Sequence, residues 1–227
     1  MDFGAMYQTW VNVLIRPGEQ TFIDEHNKPQ AKLSTAIIWI LVAAVIVAIL
    51  AIFRALISAA IFSGPGLFEQ LAAQLDLPPE VAQQMAQQAQ AGLVSSVFVG
   101  FCGSLIIIPL SFLIGSGIYW LIAKLLGGTG SYEEQTYLFA TFTAPLMIIS
   151  GIVSLIPIAG GCFAFIISIY NLVLTYFALK VSHDFTSGKA IITLLIPILI
   201  GILLACCIVF AVFSFVGAAL GGTQGGF

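Results

Sequence analysis

Long stretches without a charged side chain dominate this sequence. Residues 93–123, 135–179 and 190–227 contain no Asp, Glu, Lys or Arg, and residues 34–62 contain only Arg54. A helix that crosses the ~30 Å hydrocarbon core of a bilayer needs ~20 mostly apolar residues, and each stretch is long enough to do so. Because only 7% of the residues are charged, the chain also has too few polar groups to cover a water-soluble fold. The sequence therefore predicts an integral membrane protein.

The stretch 135–179 is too long for one helix, and the segment Ile156-Pro157-Ile158-Ala159-Gly160-Gly161 interrupts it. Dividing it there gives five predicted spans, at about 35–60, 97–123, 137–156, 161–180 and 190–217. The first span is too long for a signal peptide and follows a leader of mixed charge, so we expect it to be retained. The predicted fold is all-α, a polytopic bundle of five transmembrane helices kinked by proline, with interfacial amphipathic helices beside it.

The orientation follows from the positions of the basic residues, because cytoplasmic loops are enriched in Lys and Arg. Six of the seven basic residues fall on one side of the predicted spans: Arg16, Lys28, Lys32, Lys124, Lys180 and Lys189. We therefore expect a multi-pass protein of the cell membrane with its N-terminus in the cytoplasm and its C-terminus outside. Residues 1–33 form the cytoplasmic N-terminal segment, and residues 34–227 form the five-span membrane domain.

Two polar segments have an amphipathic pattern. Near the N-terminus, the apolar residues Phe3, Met6, Trp10, Val13 and Leu14 share one helical face, which predicts a helix lying flat on the inner membrane surface. On the other side, the Gln-rich loop 63–92 repeats leucine every four residues and restarts a short helix at Pro78-Pro79. This outer hairpin either rests on the outer leaflet or binds a partner.

Few side chains inside the predicted spans are candidates for function. Arg54 is an ionisable residue within a span, a position that is often functional, but it lies close enough to the outer end of its helix to snorkel to headgroups or to pair with an acid of the outer loop. Asn171, with Tyr170 and Tyr176 nearby, is a carboxamide near the middle of the fourth span, where such groups usually hydrogen-bond between helices.

Small residues and prolines form the second group of candidates. Gly160, Ala164 and Ser168 repeat every four residues, which permits close contact between helices within a protomer or in an oligomer. Pro145 lies inside the third span and Pro157 lies in the turn that follows it. The first interpretation of these features is helix packing, and the second is that the interruptions surround a transport path.

The residues needed for catalysis or cofactor binding are scarce. His183-Asp184 resembles half of a metal-dependent phosphohydrolase site, but the chain has only His26 as a further histidine, so we expect no metal. No nucleotide-binding motif is complete, and the four cysteines lie in apolar runs where they act as packing residues. A net charge of -3 without a basic patch argues against a nucleic-acid partner. We expect a protein that is not an enzyme and needs no cofactor.

The order of several short motifs resembles the Yip-domain family, in its prokaryotic form. The motifs are Leu126-Gly127-Gly128-Thr129-Gly130-Ser131-Tyr132, Phe142-Thr143-Ala144-Pro145, Ile156-Pro157 with Gly160-Gly161, Ile169-Tyr170, and Ala178-Leu179-Lys180 followed by His183 and Gly188-Lys189-Ala190. The resemblance covers residues 124 to 205 well, and the first two spans by layout alone. It implies five spans and a cytoplasmic N-terminus. Eukaryotic members act in vesicle traffic, bind prenylated Rab-type GTPases and associate with one another.

This chain departs from the eukaryotic form in its short N-terminal region and in its long Gln-rich outer loop. The resemblance transfers no catalytic residues, and a GTPase partner is implied by the family alone. The leading hypothesis is a membrane protein that organises or recruits partners, in contact with the lipid bilayer and capable of forming homo- or hetero-oligomers through its small-residue seam. The alternative is a small-solute transporter or channel lined by the kinked helices.

Overall fold

The computed structural model describes residues 3–62, 79–156 and 159–221. These residues form seven helices: α1 (Phe3–Ile15), α2 (Glu19–His26), α3 (Leu33–Phe62), α4 (Pro79–Leu125), α5 (Tyr132–Val153), α6 (Ala159–Ser182) and α7 (Ser187–Gly221). Five of them contain a segment long and apolar enough to cross a membrane: Leu33–Ile57, Gly100–Leu125, Tyr132–Val153, Gly160–Ser182 and Ser187–Ser214. The predicted all-helical five-span fold is confirmed.

The division of the long charge-free stretch is also confirmed, because α5 ends at Val153 and α6 begins at Ala159. Pro109, Pro145 and Pro197 each lie inside a helix that continues past them. The short helix expected after Pro78 begins at Pro79 and runs without a break into the second span. The remainder of the outer hairpin, residues 63–78, lies outside the described residues, as does Pro157.

Helix α5 occupies the centre of the bundle. It packs against α3, α4 and α6 along the spans and also contacts α1 and α2. Of the five spans it has the lowest hydropathy and the largest buried share, whereas the strongly apolar span of α7 has no buried residue in its most apolar part. Lipid solvates apolar side chains as well as a protein interior does, so the less apolar helix is the one that gains most from protein neighbours.

Two short helices and two loops lie toward one end of the bundle. Helix α2 packs on α5 and α6, α1 packs on α5, and the loops 126–131 and 183–186 join the spans at this end. We call α1, α2 and these two loops the cap, and the opposite end of the bundle the far end. The six basic residues that the sequence places on one side all lie in the cap or next to it.

Candidate functional site

Helix α1 packs into the bundle with the face that its periodicity predicts. Met6, Trp10 and Val13 are buried, and the Trp10 ring meets the Trp39 ring of α3 edge to face at 6.1 Å between centroids. The Tyr170 hydroxyl of α6 donates to the carbonyl oxygen of Leu14. Phe3, which belongs to the predicted face, is exposed. Whether the exposed side of α1 lies at the membrane interface stays a prediction.

A buried carboxylate joins α1, α2 and α5. Glu25 is only 3% exposed, and its Oε1 accepts from the Lys28 ammonium at 2.6 Å. Its Oε2 accepts from the Thr9 hydroxyl at 3.2 Å and from the Tyr137 hydroxyl at 3.4 Å. A carboxylate can be buried at this depth because each of its oxygens has a donor. The Glu25 network therefore fixes both short helices to the central span.

Further contacts hold α2 and the start of α3 in place. Phe22 is fully buried, and its ring meets those of Phe142 and Phe177 at 6.1 and 6.4 Å between centroids. Lys180 at the end of α6 pairs with Glu19 at the start of α2. These contacts come from both apolar packing and ion pairing, so α2 is docked on the side of the bundle along its whole length.

A second polar network lies where α4, α5 and the loop after α6 meet. Gln135 is fully buried, and its Nε2 donates to the Ser116 carbonyl oxygen at 2.7 Å. Its Oε1 lies 2.8 Å from Nε2 of His183. The Ser116 hydroxyl also shares a hydrogen bond with the Thr136 hydroxyl at 2.7 Å. The network links three consecutive spans at the capped end.

This geometry determines which nitrogen of His183 carries the proton. A carbonyl oxygen only accepts, so the Gln135 amide must turn its NH₂ group to Ser116 and its oxygen to His183. His183 Nε2 is therefore the donor, and Nδ1 of the neutral ring carries a lone pair. That Nδ1 is buried and, among the described residues, has no hydrogen-bond partner.

The loop 126–131 contacts the His183 loop so closely that two of its residues must be glycine. A Cβ atom built on Gly130 would lie 1.8 Å from the Ser182 carbonyl oxygen, and one on Gly128 would lie 2.6 Å from His183 Nδ1. Gly127 has φ +82°, a left-handed conformation that glycine adopts without strain. The glycines of this motif therefore allow close contact with the Ser182 backbone at Gly130 and with the His183 and Phe185 rings at Gly128.

Thr129 completes this contact between the loops. Its hydroxyl donates to the His183 carbonyl oxygen at 3.2 Å, while Lys124 donates to the Thr129 carbonyl oxygen at 3.0 Å. Ser131 then begins α5 with a reciprocal capping pair, in which its hydroxyl accepts from the Glu134 backbone and the Glu134 carboxylate accepts from the Ser131 backbone. The loop is thus fixed at both of its ends.

Burial lowers the pKa of His183 to about 4, the positive charge of Lys124 adds to this effect, and Glu134 opposes it. A histidine with a lowered folded-state pKa stabilises the protein at pH values above its unfolded pKa of ~6.5, and this stabilisation is lost as the pH falls toward the folded value. We expect a change from pH 7 to pH 5 to reduce the free energy of unfolding by roughly 2 kcal/mol through this group.

Thermal melting of the wild type and His183→Gln at both pH values measures this effect. All carboxylates are shared by the two proteins, so the difference between their pH dependences isolates His183. The variant should lose less stability than the wild type between pH 7 and pH 5. Equal losses in the two proteins would show that His183 is not held neutral by its surroundings.

The candidates from sequence lie mostly away from the cap. Arg54 is exposed near the far end of α3, and the outer loop that could pair with it lies largely outside the described residues. Asn171 has a buried Oδ1 without a hydrogen-bond partner among the described residues. Tyr170 contacts α1, and Pro145 is buried in α5. The functional roles of these residues stay predictions.

Two residues of the small-residue seam, Gly160 and Ala164, line a crevice that α6 shares with α3 and α5. Ala164 and Ser168 are exposed, and the Ser168 hydroxyl donates to the Ala164 carbonyl oxygen of its own helix at 2.8 Å. Gly160 alone packs closely within the protomer, since a Cβ atom there would lie 3.3 Å from the Val153 carbonyl oxygen. A contact of the seam with a neighbouring helix stays a prediction.

Sequence reasoning missed the two residues at the centres of the polar networks. The predicted third span began at residue 137, which placed Gln135 outside it, whereas α5 begins at Tyr132. Glu25 lies in a polar segment with several other charged residues, and its position in the sequence does not indicate that its carboxylate is buried. The capping pattern Ser131 with Glu134, three residues apart, was the signal that could have moved the start of the span.

The buried polar side chains of the cap bind one another, and the exposed ones form a polar surface. Within the described ranges, no group of three or more His, Cys, Asp and Glu residues is placed to hold a metal ion. The buried polar groups of the two networks contact other groups of the same chain. The solvent side of α2 exposes Gln20, Asp24 and Asn27, and the nearby Lys32 and Glu133 are exposed as well.

Comparison with known proteins identifies a family. A family model described as the Yip1 domain matches residues 11–208, which includes the end of α1, all of α2 to α6 and most of α7. No curated protein and no solved structure matches this chain.

Proposed function

The chain belongs to the Yip1-domain family, and from that membership we propose that it organises or recruits partners at the membrane through its cap, without catalysing a reaction. It is a multi-pass membrane protein with five apolar helices long enough to span the bilayer. A small GTPase is the class of partner that the family suggests.

The cap is fixed by several independent contacts, and this supports the proposal. The Glu25 network attaches α1 and α2 to α5, and the contact between Gly130 and Ser182 fixes the two loops to each other. A surface that is rigid before binding loses less conformational entropy when a partner docks. The exposed polar residues of α2, such as Asp24, are thus presented on a preformed surface.

The packing of the bundle centre favours this function over transport. The centre is filled by large side chains of α5, because Tyr137, Leu138 and Phe142 are almost completely buried. A solute path along α5 would require these side chains to move apart. Ala164 and Ser168 are small, exposed residues of α6, and the proposal includes their association with a second membrane helix.

The orientation that we propose places the cap in the cytoplasm and the far end outside. Its support is the clustering of six basic residues in or beside the cap, since Lys and Arg near the ends of spans favour the cytoplasmic side. The cell membrane is the proposed location.

Quantitative affinity purification from native membranes tests the proposed function. The cap variant carries Asp24→Lys and Lys32→Glu, two exposed changes that leave the net charge unchanged, and the control carries Arg54→Gln at the far end. We expect specific partners to be lost from the cap variant and kept by the control. Identical partner sets in all three proteins, or saturable solute uptake by the wild type in liposomes, would contradict the proposal.

A further inference from the structure

Helices α1 and α2 form a hairpin that lies beside the spans, and the turn between them reaches far along the bundle. Just before this turn, the Leu14 carbonyl oxygen accepts from the Tyr170 hydroxyl of α6. Tyr170 lies 12 residues before Ser182, the last residue of α6, which corresponds to roughly 18 Å along the helix. Just after the turn, the Phe22 ring of α2 meets that of Phe142, which lies 10 residues beyond the start of α5, or roughly 15 Å.

The outward side of this hairpin carries charged and polar groups. Its exposed polar residues are Gln8, Asn12, Arg16, Glu19, Gln20 and Asp24. Helix α1 also exposes Phe3, Tyr7 and Ile15. Charged side chains within hydrocarbon are costly, so lipid tails do not cover this surface. Tyrosine and large apolar residues beside charged groups are instead typical of a helix that lies at the level of the lipid headgroups.

The part of α5 and α6 that lipid tails can cover on this side of the bundle is short. Beyond the hairpin, α5 continues through residues 143–153, and the corresponding part of α6 is residues 159–169. Each segment has 11 residues, or roughly 17 Å, which is about half of the ~30 Å hydrocarbon core. Helix α7, which packs on α4 and α6, has a charge-free segment of 25 residues from Ala190 to Ser214, or roughly 37 Å. The two sides of the bundle therefore differ about twofold in apolar height.

From this difference we infer that the bilayer is locally thin beside the hairpin, where the headgroups of the leaflet on the cap side descend to the level of Arg16. A bilayer thins around an apolar segment that is shorter than its own hydrocarbon core. Arg16 forms no ion pair within the described residues, and a lipid phosphate supplies one. The ammonium groups of the same headgroups, together with water, solvate the exposed acids of α2.

Moving the whole bundle out of the membrane toward the cap side would not remove the mismatch. It would bring the hairpin into water, but it would also expose the strongly apolar first half of α7 to water. Thinning on one side alone satisfies both surfaces. The inference holds for either orientation of the cap and does not depend on the proposed partner.

Spin-label accessibility in phosphatidylcholine vesicles tests this inference. A nitroxide is attached to a single cysteine, at Gln20 on α2 or at Leu199 on α7, in a background without the native cysteines. Both positions are exposed, and Leu199 lies 12 residues beyond Ser187, the first residue of α7, at a depth comparable with that of the hairpin turn. Oxygen reports hydrocarbon, and a water-soluble nickel chelate reports water and headgroups. We expect the ratio of oxygen to nickel accessibility to be severalfold higher at Leu199 than at Gln20.

The other outcomes overturn the inference. A high ratio at both positions would mean that hydrocarbon covers the hairpin, and a low ratio at both would mean that the bundle stands out of a bilayer of ordinary thickness. A label at Gln20 that is shielded from both reagents would assign the hairpin surface to a second protein or a second copy of the chain.

A pair of variants tests the cause of the thinning, with the nitroxide at the exposed Asn12 of α1. Gln20→Leu with Asp24→Leu makes the exposed side of α2 apolar, so lipid tails can cover it and the oxygen-to-nickel ratio at Asn12 should rise severalfold. Gln20→Asn with Asp24→Asn changes the same two positions but keeps them polar, and it should leave the ratio unchanged. Equal ratios in the two variants would show that the polar side of α2 does not hold the headgroups at this level.

Discussion

Replacing Gly130 with alanine should prevent stable folding of the capped end. The new Cβ atom would lie 1.8 Å from the Ser182 carbonyl oxygen and 2.7 Å from its carbonyl carbon, and both are backbone atoms that cannot rotate away. The loops must separate, which breaks the hydrogen bonds between Thr129 and His183. We expect a loss of more than ~4 kcal/mol, a size reached by few single substitutions. Thermal melting of the purified protein in a mild detergent measures it.

Gly188→Ala is the matched control, because it adds the same methyl group at a glycine in the first turn of α7 with no neighbouring atom within 4 Å. Alanine favours a helix over glycine by up to ~1 kcal/mol, so this variant should melt at the wild-type temperature or slightly above it. If Gly130→Ala melted together with Gly188→Ala, the close contact between the two loops would be refuted.

Removing the Glu25 carboxylate should release α1 and α2 from the bundle. Glu25→Ala removes the acceptor of the buried hydroxyls of Thr9 and Tyr137 and the ion-pair partner of the partly exposed Lys28. A buried donor left without an acceptor costs ~1–3 kcal/mol, and with two such hydroxyls we expect a loss of about 2–4 kcal/mol. Melting in detergent gives the size of the loss, and limited proteolysis between α2 and α3 shows whether the cap has detached.

The neighbouring acid provides the control for this prediction. Asp24 is exposed and accepts one hydrogen bond, from Gln20 on the same helix, so Asp24→Ala should change stability by no more than ~0.5 kcal/mol. Glu25→Gln keeps the shape and one acceptor oxygen and should fall between the two. Equal melting temperatures for Glu25→Ala and Asp24→Ala would mean that the Glu25 network contributes nothing to the docking of α1 and α2.

The spans could be predicted from the sequence because their cause is local. Whether a segment can cross the bilayer depends on its own length and apolar content. The break around Pro157 is likewise local, because it consists of a proline followed closely by Gly160 and Gly161. The positions of the helices within the bundle can be predicted only from a weaker signal, the relative hydropathy of the spans. Helix α5 is central because it is the least apolar span, and that ranking can be read from the sequence once the solvent is known to be lipid.

The cap could not be predicted because its contacts join residues far apart in the chain. The spacing of Met6, Trp10 and Val13 predicts a buried face but does not say whether lipid or protein covers it. Glu25 reaches Tyr137 over 112 positions, and Gln135 reaches His183 over 48. The glycine loop carried the family resemblance, but its physical reason, a backbone contact with Ser182, required the structure.

The proposed function requires the cap to face the cytoplasm, where a soluble partner could reach it, and thiol labelling tests this directly. Single cysteines replace Ser187, which is exposed beside the cap, or Gln84, in the part of α4 before its span, in a background without the four native cysteines. Intact cells are treated with a membrane-impermeant thiol reagent and compared with permeabilised cells. We expect Gln84→Cys to be labelled in intact cells and Ser187→Cys to be labelled only after permeabilisation. Labelling of Ser187→Cys but not Gln84→Cys in intact cells would contradict the proposed orientation.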